Sequence, residues 1–193
     1  LIDKVIFYDS DFISSFLLID AVPFLKKVFS EIIIPDVVYD ELTEHGTPNR
    51  IVTNINALVD ENFVKIRSID VFSPEYDKYM LIKEGFWHDN GKYLGNGESA
   101  SLALVIVNNG VLASNNFSDI KFYVDRYKLP LLTSAFLLAF SVDCEIISKD
   151  EAVEMWDKMI NEGVFLPKKT FLEYYSLVYD TDYGDFGHRL FDD

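Results

Sequence analysis

Five short apolar runs recur along this chain: Lys4-Val-Ile-Phe-Tyr8, Ile32-Ile-Ile34, Val64-Lys-Ile66, Val111-Leu-Ala113 and Leu131-Leu132. Each reads as a strand, the first of them buried, and between them lie stretches with apolar residues at helical spacing. Strands that alternate with helices predict an α/β fold, a three-layer sandwich with a central, mostly parallel sheet and helices on both faces. In such sheets ligands sit at the carboxyl ends of the strands. That edge is therefore where chemistry is to be sought.

The helical stretches have legible ends. Residues 12–29 carry helical spacing broken by Pro23. Asp36 caps a helix running to Glu44, and His45-Gly-Thr-Pro48 stops it. Residues 51–62 form a further helix, and Ser73-Pro74 opens another over residues 75–83. Residues 85–97 read as a polar, Gly-rich loop. Residues 98–107 predict a strongly amphipathic helix that stops at Asn108-Asn-Gly110. A helix over residues 118–126 precedes the last strand, and the apolar residues 135–142 come after it. Ser148-Lys-Asp-Glu151 is a capping box opening a helix to about residue 161, ended by Gly163. Residues 170–179 are the last predicted helix. The pattern divides into a main domain over residues 1–145, a helix pair over 146–179 packed on it, and an acidic tail over 180–193. That tail carries five aspartates against one arginine and is expected to be loosely held.

Composition narrows the class. The chain has 193 residues, 49% of them apolar, which suits one domain with a sizeable core. With 16 Phe and 11 Tyr that core should be heavily aromatic. Cys144 is the single cysteine, so there is no internal disulfide framework, and a reducing, cytoplasmic setting is expected. It stands between Asp143 and Glu145, whose charge would raise a thiol pKa rather than activate it. The longest apolar stretch, residues 129–142, is interrupted by Thr133, Ser134 and Ser141 and is too short to span a bilayer. No signal peptide and no membrane association are expected. The net charge of −15 is awkward for a phosphate-binding surface, which usually carries a basic face. Either divalent cations offset part of the charge, or the partner is basic, or nucleic acid is not the substrate.

Four carboxylates stand out. Asp9 comes directly after the first strand, in Tyr8-Asp-Ser-Asp-Phe12, at the functional rim. Glu41 projects between Val37 and Val38 on the apolar side of its helix, where a carboxylate costs free energy unless a cation or donor satisfies it. Glu98 shares a face with Leu102 and Val105 and lies in the first turn of its helix, which also favours an acid electrostatically. Gly95 and Gly97 beside it leave room for a ligand or another backbone. Asp119 lies just past Ser114-Asn-Asn116, although Asn116 and Asp119 also have the spacing of a helix cap and its third-position acid. Gathered in space, such acids would repel one another without a metal. Oxygen ligands with no nearby histidine or thiolate suit Mg²⁺ or Mn²⁺. There is no P-loop, GxGxxG, GxSxG or zinc-spaced pair. His45 and His88 read as surface histidines and Trp87 as a packed loop aromatic.

In their order, these residues resemble the PIN-domain family. The strand leading into Asp9-Ser-Asp11 is similar to its opening motif, and Ile34-Pro35 with Val38-Tyr-Asp-Glu41-Leu to its second acidic motif. Leu94-Gly-Asn-Gly-Glu98-Ser-Ala100 resembles the Gly-Glu-Ala helix start of a branch that includes toxin-like proteins of toxin–antitoxin pairs. The segment from Leu129-Pro to Leu138 is similar to the strand and helix after the family's last acid, and that from Glu162 to Tyr174 looks like the branch's C-terminal helix pair. The resemblance covers most of residues 4 to 175. It implies a PIN-like fold and a metal-dependent, usually RNA-directed endonuclease using Mg²⁺ or Mn²⁺. Asp9, Glu41, Glu98 and Asp119 would be the catalytic set, with Asp9, Glu98 and Asp119 holding metal and Asp11, Asn115 and Asn116 as secondary candidates. Many members carry an aspartate where Ser114-Asn115-Asn116 stands, and Asp119, from the next turn, is the candidate to supply the missing acid.

The resemblance further implies RNA as a partner and leaves room for an antitoxin, another protein or a second copy of the chain. Two other readings compete. Asp9-Ser-Asp11 also resembles the opening of haloacid-dehalogenase-like phosphatases, with Asp9 as nucleophile and Asp11 as acid/base. Ile13 departs from that pattern, and there is no later Asp-Asp motif. The third reading is a non-catalytic PIN-like scaffold that binds a protein through its acidic surface.

Overall fold

The computed structural model describes residues 4–85 and 93–191. Five parallel strands form one sheet in the order β3-β2-β1-β4-β5. They are β1 (Ile6–Tyr8), β2 (Ile32–Pro35), β3 (Val64–Arg67), β4 (Val111–Ala113) and β5 (Leu131–Leu132). The runs seen in the sequence are these strands, and ladders such as Ile6 to Val111 and Tyr8 to Ala113 fix their register. The chain steps outward from β1 through β2 to β3, then returns across the sheet to β4 on the other side of β1. Right-handed crossovers in opposite directions place their helices on opposite faces, as the three-layer expectation requires. The direction changes between β1 and β4, which makes the crevice at their carboxyl ends the topological switch point.

On the outward leg, α1 (Ser10–Leu17) and α2 (Val22–Val28) precede β2, and α3 (Asp36–Thr43) and α4 (Asn49–Asp60) precede β3. The break between α1 and α2 comes before Pro23, which sits in the first turn of α2. A proline there gives up only an N–H that has no helical partner anyway. Aromatic rings make the core on this side. Tyr8, Phe12, Phe16 and Phe24 succeed one another with centroids 5.6, 5.3 and 5.6 Å apart.

The returning leg contains α5 (Pro74–Lys83) and α6 (Asn96–Asn108), and α7 (Phe117–Tyr127) joins β4 to β5. α6 is not the amphipathic helix its sequence suggests. Gly97 and every residue from Ser99 to Val105 are buried, because the helix lies against β1, β2 and β4 while α5, α3 and α7 cover its outer side. Ser99, Ala100, Ser101 and Ala103 are small enough to be enclosed from all directions, so polarity by period misled there. Asn109, at φ +50°, ends the helix in the left-handed region, as the Asn-Asn-Gly stop implied.

The C-terminal part comprises α8 (Ser134–Asp143), α9 (Lys149–Asn161), α10 (Phe171–Leu177) and α11 (Tyr179–Asp185), then a closing 3-10 turn at Gly187–Leu190. The last two elements correct the expectation of a loose tail. Phe186 is 5% exposed and Leu190 2%, and the ring of Phe186 meets those of Phe136 and Phe117. Asp180 and Asp185 are exposed and Asp182 is half-buried, accepting from the Tyr174 hydroxyl at 2.6 Å, while Tyr179, Phe186 and Leu190 face the core; net charge hid that pattern. Among the described residues no helix is long and apolar enough to cross a membrane.

Candidate active site

Asp9 begins where β1 ends. Its N–H donates to the carbonyl of Ala113 at 2.9 Å, extending the β1–β4 ladder by one rung. Its side chain caps α1, accepting from the N–H of Ser10 at 2.8 Å. The Ser114 hydroxyl, the first polar group after β4, donates to the other carboxylate oxygen at 3.2 Å. Both carboxylate oxygens thus have donors, and only 2% of the residue is exposed. An acid so enclosed is hard to ionise. Burial raises its pKa well above the carboxylate range, the charges of Asp11 and Glu98 raise it further, the Ser10 N–H lowers it, and Glu41 raises it again.

Asp11 stands in the first turn of α1, facing the loop after β4. Its carboxylate accepts the N–H of Asn115 at 3.2 Å. Burial, with the charge of Glu98, pushes its pKa up to about 6 against the lowering effect of the Asn115 and Phe12 N–H groups and the Ser114 hydroxyl. Asn115 is a fastener. Its side-chain amide donates to the Asp11 carbonyl at 3.3 Å and to the Ser134 hydroxyl at 2.9 Å, while its carbonyl accepts the Ser134 N–H at 2.8 Å. The Ser134 hydroxyl also meets that of Ser15 at 2.8 Å. The loops after β1, β4 and β5 are held together through these groups. Ser114, Ser134 and Ser15 carried no signal in the sequence, since a serine at a strand end is ordinary until its partners are known.

Glu41, on α3, reaches across to α6 and accepts the Gly97 N–H at 2.9 Å. The apolar-side carboxylate therefore finds its donor at an orphan N–H of a helix start. What uses the room at Gly97 is Glu41 itself: a Cβ there would lie 2.5 Å from its carboxylate oxygen. Glu98 accepts the Gly95 N–H at 3.1 Å, the reach-back of a capping box.

Asn116 overturns the cap reading. It occupies the N-cap position of α7 but makes no side-chain cap bond. Its amide nitrogen donates instead to Glu98 and, at 2.8 Å, to Asp119. A neutral NH₂ thus lies between two carboxylates, where a cation would satisfy the same oxygens.

The acids named from sequence accordingly fall into two linked groups. Asp9 feels the charges of Asp11, Glu98 and Glu41, and Asn116 ties Glu98 to Asp119. Among the described residues no three His, Cys, Asp or Glu side chains converge on one point as a ready-made ion site. Trp87 and His88 fall outside the described residues, and His45 is exposed.

A cavity of about 460 Å³ opens beside Asp11, Asn115 and Asn116 and reaches Glu162 and Phe165. Residues 5–179 match the sequence family described as PIN domain. The chain belongs to the PIN-domain family. Comparison with curated proteins gave no match.

Membership of the PIN-domain family carries a nuclease-type function in general terms, and PIN domains generally use divalent metals. The donor chemistry of this PIN domain fits such an ion. Its oxygens are hard, its buried acids repel one another, and an amide already bridges two of them. Mg²⁺ is commonly held by one or two carboxylates with water and substrate phosphate completing its shell, so a three-residue cage is not required.

Proposed function

We propose that this PIN domain is a metal-dependent endonuclease that hydrolyses phosphodiester bonds in RNA. The observation that carries the reading is Asp9, buried at the switch point with the charges of Asp11, Glu41 and Glu98 around it. A fold tolerates such a gathering at a cost in stability, and a divalent cation with a bound phosphate gives it a use. Asp9, Glu98 and Asp119 would hold the ion, with the Asn116 side chain turning to offer its carbonyl oxygen. When bound, the ion supplies neutralisation of the phosphate and stabilisation of the leaving oxygen.

The chain's own residues do the rest. Ser114 and the Ser10 N–H hold the Asp9 carboxylate still, and the Gly97 N–H does so for Glu41. Asn115 keeps Asp11 at the edge of the open cavity, where it meets substrate. Water adds to phosphorus, one ester P–O bond breaks, the water proton passes to a carboxylate, and the leaving oxygen takes a proton from solvent. As the toxin of a toxin–antitoxin pair, the chain would also have a protein antitoxin as partner. Family membership accounts for Asp9-Ser-Asp11 without a phosphatase.

One observation favours a second reading, the non-catalytic scaffold. The Asn116 amide already satisfies Glu98 and Asp119, as it would in a site that never takes up metal. Incubating the chain with single-stranded RNA and the matching DNA in Mn²⁺, Mg²⁺ and EDTA separates the two. Metal-dependent cleavage of RNA that disappears in Asp9→Asn supports the nuclease. No cleavage with either metal, or cleavage that survives Asp9→Asn, overturns it.

A further inference from the structure

After α9 ends at Asn161, the chain turns at Gly163 and runs on through Val164-Phe-Leu-Pro-Lys-Lys169, with Val164 and Phe165 lining the cavity at Asp11. Phe165 in this segment is 88% exposed, although a phenylalanine without a partner gives up the free energy its burial would gain. It lies between two cavities. One is the 460 Å³ opening that reaches Asp11. The other, of about 390 Å³, is lined by Phe117, Phe165, Leu166, Pro167, Val178 and Phe186 on its apolar side. Asn115 and Asn116 border both cavities. Phe165, with Asn115 and Asn116, therefore forms the divide between the cavity at Asp11 and the apolar one.

Lys168 and Lys169 come immediately after and are exposed. Among the described residues neither has an ion-pair partner, unlike the chain's other adjacent basic pair, Lys26 and Lys27, each of which meets an acid. In a chain of net charge −15, two adjacent unpaired cations next to an exposed ring and a cleft form a local exception. Single-stranded nucleic acid is gripped by such a combination, with aromatic faces for bases and cations for the backbone. The second cavity suits a base and not a phosphate, because Asp182 and Asp185 also line it. They repel phosphate and can accept from ring or exocyclic N–H groups.

We propose that Phe165 is a base-stacking platform for single-stranded RNA, with Lys168 and Lys169 holding the adjoining phosphates and the apolar cavity receiving the next base. The inference rests on the nuclease reading for its substrate. Binding and cleavage nevertheless test the two separately.

The test measures binding of a short fluorescent single-stranded RNA with phosphorothioate linkages by anisotropy in Mn²⁺, alongside cleavage of the ordinary RNA. Phe165→Ala should weaken binding about tenfold, Phe165→Trp should retain it, and Phe165→Leu should not rescue it. An RNA with an abasic site at the stacked position should lose the same factor and show no further loss with Phe165→Ala. The double variant Lys168→Gln with Lys169→Gln should flatten the salt dependence by roughly 0.7 per lysine in log–log slope. The exposure of Phe165 means these variants should melt like the parent, which is checked first. Equal binding by parent and Phe165→Ala overturns the platform, and so does an absence of RNA binding. Phe165-dependent capture of an arginine-rich peptide with no RNA binding would also overturn it, in favour of a protein-docking surface. Phe165-dependent binding without cleavage leaves the platform standing and defeats the nuclease. Cleavage indifferent to Phe165 does the reverse.

Discussion

Gly97 gives its backbone N–H to the Glu41 carboxylate at a distance no side chain at position 97 would permit. Gly97→Ala therefore sets two effects against each other. The helix gains about 1 kcal/mol from replacing glycine, while a charged hydrogen bond of about 1.5–3 kcal/mol is displaced. The carboxylate can rotate into water, so a melt should move by no more than about 1 kcal/mol. RNA cleavage should nevertheless fall about tenfold or more, as activity does when the partner that orients a site carboxylate is lost. A cleavage assay beside a thermal melt checks both halves.

The raised pKa values of Asp9 and Asp11 set a pH dependence with a definite sign. Their folded values lie above the ordinary 3.8, so the folded state binds protons more tightly than the unfolded chain. Without metal, stability is greatest below about pH 4 as far as these two groups go, and declines as pH rises. For Asp11 the decline runs through its pKa of about 6, on the order of 3 kcal/mol in all. A divalent cation favours the ionised forms, so the gain in Tm from Mn²⁺ should be larger at pH 7.5 than at pH 5. An equal gain at both would show that these acids do not meet the ion.

Asn116 and Asp119 can be separated by charge. Asn116→Asp replaces the bridging donor with a third carboxylate between Glu98 and Asp119. Without metal it should lose roughly 2 kcal/mol, and with Mn²⁺ it should bind more tightly, since anionic ligand count tunes affinity. Asp119→Asn should weaken Mn²⁺ binding while costing only about 0.3–1 kcal/mol at the α7 start. If Mn²⁺ affinity is the same in both variants and the parent, the ion does not sit between these side chains.

The C-terminal elements should prove structural. Phe186→Ala opens a gap against Phe136 and Phe117 and should cost about 3–5 kcal/mol. Denaturant unfolding checks this, and a loss below about 1 kcal/mol would return the segment to the status of a loose tail.

How much of this was legible in the sequence differs by element. The strands were readable because each is a short apolar run between turn residues, and Asp9 because it comes directly after one. Glu41 was readable from helical period alone, although its partner, an N–H on another helix, was not. α6 misled because burial on every side removes the periodicity that reveals a helix face. Asn116 read as a cap because spacing shows what a side chain can reach along its own helix and nothing of an acid arriving from α6. Phe165 gave no signal, since exposure is a property of the folded surface.

The described chain closes on itself at the edge of the sheet away from the carboxylates. Lys4, just before β1, donates to the carbonyl of Arg189 at 3.3 Å, and Arg189 donates to the carbonyl of Leu129, just before β5, at 3.3 Å. Both ends of the described residues therefore sit where the strands begin, and Asp9 and Asn115 sit where they finish. A surface tether or a fused reporter joined at either end would thus approach from the back of the molecule. The cleft beside Asp11 and Phe165 would be left facing outward, which makes immobilised chain a suitable format for following RNA arrival and release.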